Sequence, residues 1–183
     1  ITSQAIYRGD YNKFLKKNSI EEPVILQVGG SDNELLKFST NLANKYGYQG
    51  VNLNVGCPSK KVSQGRMGAC LMKEADIVRS CVKAMISESS SEVSVKCRIG
   101  VDEFESYNFF KEFISNVSDS GCNTFFVHAR KAFLKGLDPK KNRTLPPLKY
   151  DYVYKLKKEM PQLNIIINGG IQTLEECHNQ LKS

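Results

Sequence analysis

The sequence predicts an α/β fold with a parallel sheet, and three observations predict it. Five short apolar or alternating runs are each followed by a segment of helical period. The strand starts recur at roughly 25–40 residue intervals, the spacing of βα units joined by right-handed crossovers. Each strand also ends on a polar residue, in order Gln27, Asn54, Lys96, His128 and Asn168. Two architectures fit: an open doubly wound sheet, or part of a (β/α)8 TIM barrel. A complete barrel takes about 250 residues, so 183 residues require missing strands. Polar groups at the C-terminal ends of several strands favour the barrel, because that is how a barrel builds one site.

The elements follow in order. Residues 1–22 are polar and read as loop, with a Lys-rich stretch over 13–17. The apolar run 24–28 is a buried strand ended by Gly29 and Gly30. Ser31 opens a helix, with Glu34 completing a capping box and Gly47 stopping it. Residues 51–55 alternate apolar and polar as a strand, then break at Gly56-Cys57-Pro58 into a Gly-, Ser- and Lys-rich loop. The helix over 75–87 carries Val78, Cys81, Val82 and Met85 on one face. A strand over 93–100 ends with two cations, Lys96 and Arg98. The helix over 107–117 turns Phe109, Phe110, Phe113 and Val117 inward, and an aromatic and β-branched strand follows over 124–130. A basic loop over 131–149 leads to a helix over 151–160, stopped by Pro161. The last strand runs over 165–170, and Thr173 with Glu176 caps a final helix.

Composition narrows the partners. The net charge is +7 and the sequence pI about 9.1, which favours a polyanion such as nucleic acid. Six scattered cysteines form no Cys-x-x-Cys pair and, with His128 and His178, no zinc pattern. They point to a reducing compartment, the cytoplasm or an organelle. No apolar run approaches the ~18 residues of a membrane span, and no signal peptide is visible. The first residue is Ile, so the chain is expected to be a piece of a longer product.

Chemistry concentrates at residues 51–71. Pro58 fixes its own φ and pushes Cys57 toward extended geometry, presenting a thiol at a strand's C-terminal end. Cysteine thiols ordinarily titrate near pH ~8.5, and a protonated thiol is a better proton donor than nucleophile. Most free cysteines are instead buried small hydrophobes. Asn168-Gly169-Gly170, between a strand and a capped helix, offers bare amides to a phosphate, or is a plain turn.

Asn52 to Ser59, with Gly65 and the run from Gly68 to Leu71, resembles the signature of the tRNA-dihydrouridine synthases. The chain is most similar to the branch that modifies uridine-20 of the D-loop (U20/U20a). A second match is the loop from His128 to Arg143, containing Gly136, Leu137, Pro139 and Asn142. The resemblance implies a barrel that binds flavin mononucleotide (FMN), followed by a helical RNA-binding domain. Residues 1–183 would be an FMN-binding fragment, from the segment leading out of strand two to strand seven. The first and eighth strands, the helical domain and a Gly-Arg pair that completes the phosphate grip would lie outside it.

It also implies roles. NADPH reduces FMN, and reduced FMN passes hydride from N5 to uracil C6 while Cys57 protonates C5. Gln27, Lys96 and His128 contact the flavin, Lys96 stabilising the negative charge of its reduced form. Asn168, Gly169 and Gly170 hold its phosphate. Asn54 orients the base or its ribose. Arg130, Lys140 and Arg143 meet tRNA, in a mobile basic loop suited to phosphate neutralisation. No metal and no membrane is implied. Two other functions stay open: an FMN-dependent oxidoreductase of a free pyrimidine, and a non-catalytic phosphate- or RNA-binding barrel.

Overall fold

In the computed structural model, which describes residues 1–182, five parallel strands form one sheet in the order β1-β2-β3-β4-β5. They are β1 (Ile25–Val28), β2 (Gly50–Val55), β3 (Glu92–Arg98), β4 (Thr124–His128) and β5 (Asn164–Asn168). Each strand pairs with its sequence neighbour, and the order never reverses. A doubly wound sheet has a switch point where the order turns back. Sequential order without one is the arrangement of successive barrel strands, so topology decides between the two architectures.

Side-chain parity divides the sheet into two faces. Val51, Leu53 and Val55 of β2, Val93, Val95 and Cys97 of β3, and Phe125 and Val127 of β4 are buried in the apolar core. The alternate positions are mostly polar: Asn52 and Asn54, then Ser94, Lys96 and Arg98, then Thr124 and His128 on either side of Phe126. Helices cover the apolar face. α3 (Asn33–Lys45) packs on α5 (Ala75–Glu88), and α5 on α6 (Tyr107–Ser118). Their buried stripes, such as Phe110, Phe113, Ile114 and Val117 of α6, sit three and four residues apart. α7 (Tyr150–Glu159) lies against β5, and α8 (Leu174–Leu181) follows with its Thr173–Glu176 capping box in place.

The structure corrects several sequence expectations. Residues 1–22 are not loop. They form α1 (Ser3–Arg8), α2 (Tyr11–Leu15) and a 3-10 turn (Ser19–Glu21). Thr2 Oγ1 and Asp10 Oδ1 cap the two helices, and the fully buried Ile6 and Leu15 anchor them. The N-cap of α3 is Asp32, whose Oδ1 accepts from Leu35 N at 3.0 Å. Glu34 does not complete a box and pairs with Lys37 instead. Phe109 is half-buried and stacks on Phe104 at 5.3 Å rather than turning fully inward. The loop after β2 holds α4 (Lys60–Gln64) and a 3-10 stretch (Gly68–Lys73). β3, β4 and β5 each end two residues earlier than the sequence suggests, where their ladders stop.

Candidate active site

The polar ends of the strands converge. A cleft of about 230 Å³ is lined by Gln27, Asn54, Cys57, Lys96, Arg98, His128, Arg143 and Asn168, with Gly56, Pro58, Cys97 and Pro139. Cys57 and Lys96 therefore share one cavity. A second depression of about 170 Å³ meets the first at Gln27, Asn54 and Cys57.

The turn carrying Cys57 is built by Asn54. Its Oδ1 accepts from Gly56 N at 3.1 Å and Cys57 N at 3.0 Å, an Asx-type turn that satisfies two amides leaving the strand. Asn54 Nδ2 donates to Gln27 Oε1 at 3.0 Å, and Gln27 Nε2 donates to Asn52 Oδ1 at 2.9 Å. Asn52 in turn donates to Ser94 Oγ at 2.9 Å, closing an amide chain across β1, β2 and β3. The backbone returns close behind the thiol. Ala69 N donates to Cys57 O at 2.9 Å, and a Cβ on Gly68 would lie 2.4 Å from that oxygen. With φ at +73°, position 68 accepts only glycine without strain.

On the neighbouring strand, paired with Asn54, Lys96 is half-buried and its Nζ donates to Asn168 Oδ1 at 3.3 Å. Burial lowers its pKa from the ordinary lysine value, with Arg98 acting the same way and Cys97 opposing. His128 is 8 % exposed. Burial first, then Arg98, Lys96, Arg130 and Arg143, push its pKa down to about 3, so it is neutral near pH 7. Its Nδ1 is buried without a partner. Gly169, at φ +107°, passes so near the His128 ring that a Cβ would stand 3.0 Å from it. Gly170 also has positive φ, and Tyr150 Oη donates to Gly169 O.

The three predicted RNA-contacting cations separate. Arg143 lines the cleft, whereas Lys140 is exposed beyond it on the same loop. Arg130 donates to Pro146 O and leaves its Nε buried and unpartnered. The loop itself is braced rather than free-standing. Asn142, fully buried, accepts from Phe133 N at 2.8 Å and donates to Phe133 O, Leu137 O and Asp138 O. Arg98 and Asn142 are the residues to which sequence reading gave no role in the site. For Arg98 a signal existed: it stands two residues beyond Lys96, on the same face of β3.

A family model described as dihydrouridine synthase (Dus) matches residues 1–183. The chain belongs to the dihydrouridine synthase family. It is 50% identical over 182 residues to a tRNA-dihydrouridine(20/20a) synthase of Pasteurella multocida, covering 100% of this chain and 55% of the relative. Proteins of the same name from Yersinia pestis and Synechocystis are each 49% identical, over 100% and 99% of this chain and 53% and 54% of theirs. The chain thus spans about half the length of the curated relatives it matches. Among the described residues no cluster of His, Cys, Asp and Glu could hold a metal ion, and no helix is long and apolar enough to cross a membrane.

The donor set suits the flavin on which dihydrouridine synthases depend. A neutral imidazole has an unfilled Nδ1, a partly desolvated ammonium faces the same cleft, and two glycines of positive φ follow β5.

Proposed function

We propose that the protein carrying this chain is a tRNA-dihydrouridine synthase that uses FMN and NADPH to reduce a uridine at position 20 or 20a of the D-loop. The observation that carries this reading is the single cleft shared by Cys57, Lys96 and His128, in a chain half identical to synthases of that name. Residues 1–183 are read as the flavin-binding barrel portion, with a helical RNA-binding domain supplied by the rest of the protein.

Gln27, Lys96 and His128 would hold the flavin ring, and Asn168, Gly169 and Gly170 its phosphate. Bound there, FMN supplies the hydride for uracil C6. The Lys96 ammonium favours negative charge on the reduced ring. His128, neutral, contributes a hydrogen bond and no charge. Cys57 Sγ donates a proton to uracil C5 and is left as thiolate. Asn54 holds the turn that aims this thiol and borders the space where the base must enter. A base reaches such a pocket only after leaving the RNA stack, which a D-loop uridine can do. Arg130, Lys140 and Arg143 neutralise RNA phosphates near the mouth. The site of action is read as the cytoplasm, where tRNA is abundant and the six thiols stay reduced.

Nucleoside analysis of tRNA from cells lacking the gene tests substrate and reaction together. Loss of dihydrouridine at positions 20 and 20a is expected; its full retention there overturns the reading. An enzyme of free pyrimidines would show turnover insensitive to salt, because it neutralises no polyanion.

A further inference from the structure

Arg98 is 4 % exposed and has no carboxylate partner among the described residues. Burial lowers its pKa, with Arg130 and Arg143 pushing the same way and Cys57 opposing. An uncompensated buried cation is costly to maintain. All its polar contacts are backbone carbonyls. Nε donates to Gly56 O at 3.2 Å. Nη1 donates to Lys131 O at 3.3 Å and to Asn142 O at 2.8 Å. Gly56 immediately precedes the thiol, Lys131 opens the basic loop, and Asn142 immediately precedes Arg143. One rigid fork therefore ties together two segments that line the same cleft. A lysine in its place has a single ammonium and cannot reach these carbonyls with a planar fork.

We propose that Arg98 is a positioning residue that sets the Cys57 turn and the Lys140–Arg143 loop at a fixed spacing, so that proton delivery and RNA binding depend on one another. The proposal rests on the tRNA-reduction reading for its substrate but not for its geometry. Arg98 itself touches neither the base nor the flavin in this scheme. Asn142 completes the strut, because its side chain ties together the loop whose backbone Arg98 grips.

The test uses the intact protein and the variants R98M, R98K, R143Q and the R98M/R143Q double. In the parent background, R143Q weakens tRNA binding about tenfold, as loss of a phosphate contact does. In the R98M background the same change costs less than about threefold, because the loop is no longer held. R98M lowers kcat by ~10- to 100-fold, the scale of a misplaced reacting group. It also changes the rate at which iodoacetamide alkylates Cys57, at unchanged fold by circular dichroism. R98K follows R98M in all these readouts. Additive effects of R98M and R143Q, an unchanged alkylation rate, or full rescue by lysine each overturn the proposal. Should R98M not fold, N142D releases the far end of the strut: altered Cys57 alkylation supports the coupling and an unchanged rate overturns it. If the parent protein forms no dihydrouridine, the functional reading fails while the alkylation arm still decides the role of Arg98.

Discussion

β2 and β5 both end at the same cleft and are built differently. β2 is buried along almost its whole length, and its polar ends are already hydrogen-bonded to Gln27, Ser94 and the Cys57 turn. β5 has exposed ends and half-buried isoleucines, and His128 Nδ1 and Arg130 Nε beside it lack partners. The thiol side of the site is finished by this chain's own contacts. On the β5 side Asn168 Oδ1 and Gly169 O accept from Lys96 and Tyr150, while His128 Nδ1 and Arg130 Nε remain unpartnered. The Cys57 turn is therefore the more preorganised wall, and the unpartnered polar atoms lie toward β5.

The sharpest way to break this contrast is Cys57→Ala. It is expected to reduce dihydrouridine formation by ~10²- to 10⁴-fold, the usual worth of general acid catalysis, with flavin absorbance retained. Parallel loss of flavin would mean that the two walls are not separable. A matched glycine pair comes next. Gly68→Ala and Gly169→Ala each force a side chain into the left-handed region beside a close neighbour, at a cost of order 1–3 kcal/mol. Gly68→Ala should cut turnover while keeping flavin content; Gly169→Ala should lower flavin content while Cys57 alkylation stays as before. Equal flavin loss in both variants breaks the comparison.

A smaller effect concerns the loop above the cleft. Replacing Lys140 and Arg143 with alanine should weaken tRNA binding and reduce the salt slope by about one per cation removed. Filter binding across a salt series reads this directly. The smallest effect is in pH. His128 titrates at about 3 in the fold against 6.5 ordinarily, so the unfolded chain binds the extra proton between those values. Stability contributed by the neutral imidazole is present above pH ~6.5 and is lost as pH falls toward 3. His128→Gln should flatten that part of the stability–pH curve, measured by urea denaturation at several pH values.

Much of this was legible because strands report themselves through parity and polar ends. The residues closing the five strands were readable from sequence as candidates for one mouth, since their alternation with apolar neighbours puts them on one face. α1 and α2 escaped because they are 6 and 5 residues long and bury little beyond Ile6 and Leu15, too few points for a helical period. Asp32 displaced Ser31 as the cap of α3 because neighbouring capping residues compete for one amide, and local sequence does not rank them. Asn142 was visible only as one letter in a basic loop, since its role depends on closing contacts that exist once the loop folds back on Phe133. Arg98 was seen as a charge at a strand end, whereas its partners lie 33 to 44 residues away along the chain.

The two-faced alternation of β3 also limits how this gene can change. Inserting one codon ahead of Lys96 would turn both cations into the helical layer and Cys97 onto the polar face of the sheet. Such a register slip would bury two charges against apolar helices, at a large cost to the fold. The connecting loops, which carry no such parity, are where a change of length is expected to be cheapest.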